Sequence, residues 1–227
     1  MICYPARTMG RTTEMRDPAP MTFDFARDAI AGFSPSNCSA FRCIVADPPW
    51  EVNRLESPGS QGFGTQERVL RSVPLEYPTM SVEQISALKI PADKDAHLYI
   101  WTINSYIEAT YDIARAWGFE PSTMLYWLKQ PMGLGLGGAF VPCVEPILFC
   151  RRGKLPWKNR CDRNWWGWPR GEHSQKPEGF QTVVESVSPG PYLELFARRK
   201  RHGWASWGNE IASDVEMPNG RDELPPT

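Results

Sequence analysis

The sequence predicts an α/β fold in which helices cover both faces of a β-sheet. Short apolar segments with β-branched residues alternate along the chain with segments whose apolar residues recur at helical spacing. Clusters of turn-forming residues, mainly glycine, proline and serine, separate these segments. Strands that alternate with helices in this way pack as a sheet between two helical layers.

The length of 227 residues is enough for one sizeable domain. We expect residues 39–211 to form this domain. Residues 1–38 show little periodicity and predict a loose amino-terminal arm. Residues 212–227 are polar and rich in proline, which predicts a carboxyl-terminal tail.

Residue types at the ends of the first elements justify their boundaries. Pro48 and Pro49 stop an apolar, β-branched strand at Asp47, because proline brings no N–H group to a sheet ladder. Ser81 and Gln84 form a capping-box pattern at the start of a short helix. Between these elements, turn formers are so frequent that the sequence predicts a long loop over residues 51–76.

Later boundaries follow from the same signals. Ser105 and Glu108 are typical of a helix start, and Gly118 is typical of a helix end. Pro177 suits the first turn of a third helix. The predicted elements are strand 42–46, helix 81–88, strand 97–101, helix 105–117, strands 123–128 and 145–150, helix 177 to about 187, and strands 192–196 and 204–207.

Charge and composition exclude several classes of protein. A formal net charge of −1 excludes a globally basic nucleic-acid binder, so any contact with a polyanion must come from a local patch. No apolar run is long enough to span a membrane, and the amino terminus lacks a signal peptide's apolar stretch. The six cysteines form no regular framework, which favours reduced thiols in the cytoplasm, and we expect no metal site.

The segment Asp47-Pro48-Pro49-Trp50 combines features suited to one kind of chemistry. An amino group conjugated to an aromatic ring is a poor nucleophile, because its lone pair is delocalised. The Asp47 carboxylate and the Pro48 carbonyl could each accept a hydrogen bond from one of its two N–H groups, which would free that lone pair. The two prolines fix the backbone before the substrate arrives. Trp50 offers a flat face on which a base could stack.

This segment after an apolar strand resembles the MT-A70 family of N6-adenine methyltransferases, which includes RNA-modifying enzymes and bacterial or phage DNA-modifying enzymes. Further blocks are similar to the family in the same order over roughly residues 41–210. These blocks are Tyr77–Ser81, Leu98–Thr102, His173–Pro177, Glu194–Arg198 and Trp207–Glu210. The resemblance implies a Rossmann-like methyltransferase sheet in permuted order, with the catalytic strand first and the cofactor elements last.

The resemblance also implies a cofactor and its contacts. The expected cofactor is S-adenosylmethionine, held close to Asp47. Lys176 would neutralise its methionyl carboxylate, Arg198 would contact the ribose, and Asn209 and Glu210 would hold the ribose and adenine ends. The chain departs from the cellular RNA enzymes at Lys200-Arg201, where they carry a histidine-asparagine pair.

A basic, tryptophan-rich segment over residues 151–176 is a candidate nucleic-acid surface. Cations suit phosphates and aromatic rings suit base stacking. The candidate contacts are Lys158, Arg160, Arg163, Trp165 and Trp166. The alternative interpretation is a tryptophan-rich packing loop with a solvated charged face.

Taken together, these patterns predict methyl transfer from S-adenosylmethionine to N6 of adenine in DNA. A compact chain is typical of the bacterial or phage members, and the reaction on a duplex would require base flipping. RNA is the alternative substrate, and a catalytically silent nucleic-acid-binding partner subunit is the alternative class.

The segment Gly133–Gly138 has the glycine spacing of a dinucleotide-binding motif. That motif requires a helix to begin at its last glycine, and Ala139–Pro142 do not begin one, so we interpret the segment as a mobile loop.

Overall fold

A computed structural model describes residues 40–51, 54–55, 72–73, 78–131, 140, 142–171 and 175–217. The predicted arm, most of the predicted loop over 51–76, the loop at Gly133–Gly138 and the end of the predicted tail lie outside the described residues. The described elements are β1 (Phe41–Ala46), β2 (Arg54–Leu55), β3 (Ser72–Val73), α1 (Val82–Ala87), β4 (Ala92–Trp101), α2 (Ile107–Ala116), β5 (Glu120–Gln130), β6 (Val144–Arg152), β7 (Trp165–Pro169), α3 (Glu178–Val187), β8 (Tyr192–Leu195) and β9 (Trp204–Trp207).

Across the described residues, seven strands form one sheet in the order β7-β5-β6-β4-β1-β8-β9, and β2 pairs separately with β3. Strands β4 and β8 both pair with β1 in parallel, and β9 continues in parallel beside β8. Strand β6 runs antiparallel to β4 and to β5, and β7 is parallel to β5. Every strand of this sheet except β6 therefore ends at the same edge, which we call the carboxyl edge.

Two apolar layers show which helices cover each face. Helices α1 and α2 pack on one face, where Ile85 and Ile113 belong to the same buried core as Ile44 and Leu98 of the sheet. Helix α3 packs on the other face through Phe180 and Val184, which join the side chains of β1 and β4 at Val45 and Trp101; we call this the α3 face. The predicted α/β fold with helices on both faces is confirmed.

Most predicted boundaries are close to the observed ones. Ser81 caps α1 with the predicted capping box, in which the Gln84 side chain accepts a hydrogen bond from the Ser81 backbone N–H. The prediction that Ser105 begins the second helix is wrong, because a 3-10 turn occupies Asn104–Tyr106 and α2 begins at Ile107 without a side-chain cap. Gly118 does follow α2, at a φ of 78° that favours glycine.

The largest correction concerns the basic, tryptophan-rich segment, which is not one loop. Arg151 and Arg152 belong to β6, and Trp165–Pro169 form β7, a strand at the edge of the sheet that the sequence does not predict. Tryptophan is a good strand former, and the proline lies at the last position of this edge strand, where the sheet tolerates it.

The last described residues pack against the sheet. The Met217 side chain is 4% exposed within the core that α1 and α2 cover. The Asp214 carboxylate accepts hydrogen bonds from the Ser206 backbone N–H and from Lys200. The boundary predicted between residues 211 and 212 stays a prediction. No helix in the described residues is long and apolar enough to cross a membrane.

Candidate active site

Side chains from five strands meet where the carboxyl edge adjoins the α3 face. Val45 and Trp127 belong to the α3-face core, so Asp47 and Lys129, two residues further on, follow them onto the same face. Glu145 pairs with Trp127, and Glu194 pairs with Val45, which places both carboxyl groups on this face as well. Trp101, the last residue of β4, completes the group.

Asp47 is the first residue beyond β1, and the backbone around it is fixed by hydrogen bonds. Its N–H donates to the Leu195 carbonyl at 3.3 Å. The Pro48 carbonyl accepts from the Trp50 N–H at 2.9 Å, and the Pro49 carbonyl accepts from the Met80 N–H at 3.0 Å. The Pro48 carbonyl, predicted to bind an amino group, thus already holds one hydrogen bond and offers only its second lone pair.

Lys176 connects two of the carboxylates at this edge. Its Nζ lies 3.0 Å from Asp47 Oδ1 and 3.5 Å from Glu145 Oε2, and Lys129 pairs with the other oxygen of Glu145. The Lys176 ammonium also lies 5.2 Å from the centre of the Trp101 ring. Burial lowers the pKa of Lys176, but the charges of Asp47 and Glu145 outweigh it and raise the pKa above its ordinary value. Lys176 therefore stays protonated, with a side chain that is 22% exposed.

Glu194 is a carboxyl group of the site that sequence reasoning does not single out. Burial and then the nearby charge of Asp47 raise its pKa to about 7. Gln181 of α3 donates a hydrogen bond to Glu194 Oε2 at 2.6 Å. A signal is present in the sequence, since Glu194 is an acidic residue inside the otherwise apolar strand predicted over 192–196.

Trp50 does not have the role predicted for it. Its side chain is 5% exposed, and its ring stacks on Tyr106 with centroids 4.8 Å apart. The indole N–H donates to the Trp101 carbonyl at 3.3 Å. Both the ring and its polar group are therefore engaged inside the protein, so the prediction that Trp50 offers a free face to a base is wrong. Trp50 stabilises the turn that follows Asp47.

The predicted cofactor contacts Arg198, Asn209 and Glu210 follow β8 and β9, beside Asp47. Arg198 Nε lies 3.5 Å from Glu210 Oε1. Phe196, directly after β8, has a φ of 62°, which is rare for a side chain of this size. A Cβ atom at Gly208 would clash with the backbone of Ala197, so the chains leaving β8 and β9 run close together. The structure thus brings these three residues to one corner of the carboxyl edge.

The predicted nucleic-acid contacts are spread along the protein rather than gathered at the site. The Lys158 N–H donates to the carbonyl of Val187, at the far end of α3 from Lys176. Arg163 pairs with its neighbour Asp162 at 3.0 Å, just before β7. On β7 itself, Trp165 is 49% exposed, and Trp166 stacks on Trp168 with ring centroids 5.7 Å apart. Arg160 lies on the exposed segment between Lys158 and Arg163.

Within the part of the chain that the structure describes, no three His, Cys, Asp or Glu side chains converge in a way that could hold a metal ion.

The α/β sheet, with Asp47-Pro48-Pro49-Trp50 at its carboxyl edge, has the architecture of a Rossmann-like methyltransferase fold. The family model of MT-A70 matches residues 41–133, which contain this segment. This match confirms the resemblance to the MT-A70 family that the sequence shows.

Named relatives agree with this family. The chain is 28% identical over 198 residues to the type II methyltransferase M.MunI of Mycoplasma sp., a match that covers 82% of the chain and 81% of the relative. It is 27% identical over 207 residues to the N(6)-adenine-specific methyltransferase METTL4 of Mus musculus, a match that covers 80% of the chain and 40% of the relative. It is 29% identical over 203 residues to the N6-methyladenosine RNA methyltransferase MTA1 of Cryphonectria parasitica, a match that covers 84% of the chain and 56% of the relative. The last two relatives are thus much longer than the matched region.

Proposed function

We propose that this chain transfers a methyl group from S-adenosylmethionine to N6 of adenine in DNA, with Asp47 as the catalytic carboxylate. The observation that carries the proposal is the Asp47 carboxylate, which the Pro48-Pro49 turn holds at the carboxyl edge and which Lys176 contacts at 3.0 Å. In α/β sheets, ligands bind beyond the carboxyl ends of the strands.

Asp47 has an oxygen available for the amino group. The ion pair with Lys176 uses Oδ1, and a carboxylate offers a second oxygen as an acceptor. The ion pair keeps the side chain in place, so the acceptor is oriented before the substrate arrives. One hydrogen bond from the amino group to the Asp47 carboxylate and a second to the Pro48 carbonyl would draw the amino nitrogen toward tetrahedral geometry.

The residues at this edge fit S-adenosylmethionine. When bound, the cofactor supplies a methyl group on a sulfonium centre, and transfer leaves a neutral thioether while the amino nitrogen loses a proton. Lys176 is a protonated ammonium with three donors, suited to the methionyl carboxylate. Asn209, Glu210 and Arg198 offer the mixed donors and acceptors that ribose hydroxyls require. The carboxylates of Asp47 and Glu145 complement the sulfonium charge.

DNA is the substrate that the comparisons favour over RNA. The match to the type II methyltransferase spans 81% of that protein, whereas the match to the RNA methyltransferase MTA1 spans 56% of it. RNA remains the alternative, because the relatives include enzymes named for adenosine or RNA.

Methylation of matched DNA and RNA tests the proposal. The chain is incubated with isotope-labelled S-adenosylmethionine and either nucleic acid, and the nucleosides are separated by mass spectrometry. We expect label in N6-methyldeoxyadenosine from DNA, and about 10²- to 10³-fold less of it from the Asp47→Asn variant. Label in N6-methyladenosine alone would assign RNA as the substrate.

A further outcome would support the alternative that the chain is a catalytically silent nucleic-acid-binding partner subunit. A chain that binds S-adenosylmethionine by calorimetry but labels neither nucleic acid would be a partner subunit, and the proposed reaction would be wrong. The intact Asp47-Pro48-Pro49-Trp50 segment argues against this outcome.

A further inference from the structure

Arg170 reaches the same edge and face of the sheet as the candidate site. It directly follows β7, and its N–H donates to the Gln130 carbonyl at 3.0 Å, so the ladder between β5 and β7 continues to this residue. Trp168, two residues earlier, packs in the α3-face core. By strand alternation, Arg170 falls on the α3 face at the carboxyl edge.

The guanidinium of Arg170 is poorly satisfied by the protein. Its Nε and Nη2 atoms are hidden from solvent, and within the part of the chain that the structure describes they have no hydrogen-bond partner. A buried charged donor without an acceptor is unfavourable, and native structures usually provide one. The residue as a whole is partly exposed, so its long side chain can turn toward a ligand at the edge. An anion is the ligand that this group lacks.

The strand order indicates which anion it is. Arg198, Asn209 and Glu210 follow β8 and β9, on one side of β1, whereas Arg170 follows β7, on the other side. Four strand spacings of about 4.8 Å separate β7 from β1, which is roughly 19 Å across the edge. Lys176 contacts Glu145 of β6, so a cofactor carboxylate at Lys176 already has a cationic partner and lies about two strand spacings, or roughly 10 Å, from β7. The backbone of a nucleic acid whose adenine is bound at Asp47 can extend across the full distance from β1 to β7.

We propose that Arg170 binds a backbone phosphate of the nucleic-acid substrate, a few nucleotides from the target adenine. The planar guanidinium suits two phosphate oxygens at once. The stacked rings of Trp166 and Trp168, which precede Arg170 on the same face, continue this surface along β7. The inference rests on the proposed function, since it requires a nucleic-acid substrate.

Salt-dependent binding of a short labelled adenine-containing DNA tests the proposal. For Arg170→Gln we expect affinity about ten-fold lower, and a log–log salt slope shallower by about 0.9 on duplex DNA or about 0.7 on a single strand. The matched control is Arg115→Gln, which removes the same charge from an exposed ion pair on α2, and it should leave both values unchanged. An unchanged slope in Arg170→Gln would overturn the proposal.

Two further measurements locate the anion. Calorimetry with S-adenosylmethionine should give equal affinities for Arg170→Gln and wild type; a large decrease there with an unchanged salt slope would assign the cofactor carboxylate instead. Neutral methylphosphonate linkages placed singly along the DNA should weaken wild-type binding at one position and leave Arg170→Gln unaffected there. No such position in the scan would contradict a phosphate contact.

Further controls separate a folding defect in the variant from loss of the phosphate contact. If Arg170→Gln does not fold by circular dichroism, Arg170→Lys replaces it and should keep the salt slope while binding more weakly, because an ammonium cannot hold two phosphate oxygens in the planar geometry of a guanidinium. Wild-type affinity in Arg170→Lys would then overturn the proposal. If the wild-type chain itself binds no nucleic acid at low salt, the proposed function fails; if it binds and Arg170→Gln matches it, only the role of Arg170 fails.

Discussion

At the scale of single residues, the site depends on the carboxylates of Asp47 and Glu145 and on the ammonium groups of Lys176 and Lys129, which hold each other in position. Lys176 lies between Asp47 and Glu145, so each carboxylate has a positive partner despite partial burial. Such pairs are sensitive to the removal of one member, because the remaining charge is left without compensation. Substitutions here should therefore affect function and local electrostatics together.

Asp47→Asn should reduce methyl transfer by about 10²- to 10³-fold, the decrease typical for removal of one electrostatic contact to the reacting group. The amide keeps the shape of the side chain but removes the charge. Turnover is measured with saturating nucleic acid, and folding is checked by thermal unfolding. The control Asp112→Asn changes an exposed carboxylate on α2 and should keep wild-type turnover. Wild-type turnover in Asp47→Asn would remove Asp47 from the reaction.

Lys176→Ala should weaken the binding of S-adenosylmethionine by about 1.5–3 kcal/mol, the range for a charge-assisted hydrogen bond. Isothermal titration calorimetry measures this directly. Lys89→Ala, at an exposed lysine beyond α1, serves as the control. An unchanged dissociation constant in Lys176→Ala would show that this ammonium serves only Asp47 and Glu145.

Glu194→Gln should change how stability depends on pH. Because the folded pKa of Glu194 is raised to about 7 from an ordinary value of 4.5, folding favours its protonated form. That contribution is complete below about pH 4.5 and disappears as the pH rises through about 7. The variant stays neutral, so between pH 5 and 8 its stability should fall less than that of wild type, by about 1–3 kcal/mol. Denaturant unfolding across this range measures the difference, and parallel curves would contradict a raised pKa.

At the scale of elements, β7 shows why part of the structure could not be predicted. Trp165–Pro169 contains a glycine and a proline among its tryptophans and lies between basic residues, so the local pattern favours a loop. Its pairing with β5 supplies the ladder that makes it a strand, and that partner is distant in sequence. By contrast, β1 is predictable because Pro48 and Pro49 stop an apolar run within a few residues.

The candidate site likewise has parts that the local sequence predicts and parts that depend on contacts between distant segments. Asp47 and Lys176 are predictable because each lies in a short sequence block that resembles the family. Their ion pair is not, since it depends on where the fold places Lys176 relative to the end of β1. Glu194 is a weak signal in the sequence, because a single acidic residue in a strand usually faces solvent. The role of Trp50 is misjudged from sequence because nothing in the sequence shows that Tyr106 covers its ring.

The segment that leads into β7 should set part of the salt dependence of nucleic-acid binding. Replacing Lys158, Arg160 and Arg163 together by glutamine should flatten the log–log slope by up to about three units, near 0.9 for each phosphate that is no longer neutralised on duplex DNA. Trp166→Ala should lower affinity with little change in slope, since stacking releases no counterions. Fluorescence anisotropy over a salt series measures both. An unchanged slope in the triple variant would make this segment a packing loop.

At the scale of the whole molecule, the strand order brings the beginning and the end of the domain together. Strand β1 lies between β4 and β8, so Asp47 lies close to Arg198, which follows β8, and Asn209 follows β9, one strand further along the sheet. Lys176 reaches the same place from the segment before α3. A ligand bound there contacts segments that are far apart in sequence, and it can be bound only when the sheet is assembled.

Cofactor binding should therefore stabilise the entire domain. S-adenosylmethionine at 100 times its dissociation constant should add about 2.7 kcal/mol to the free energy of unfolding, which corresponds to a rise in Tm of roughly 5–10 °C for a domain of this size. Adenosine at the same concentration should give a much smaller shift, because it lacks the carboxylate that Lys176 is expected to bind. In Lys176→Ala the two ligands should differ little. Scanning calorimetry measures all four shifts, and equal shifts for both ligands in the wild-type chain would place the methionyl end away from Lys176.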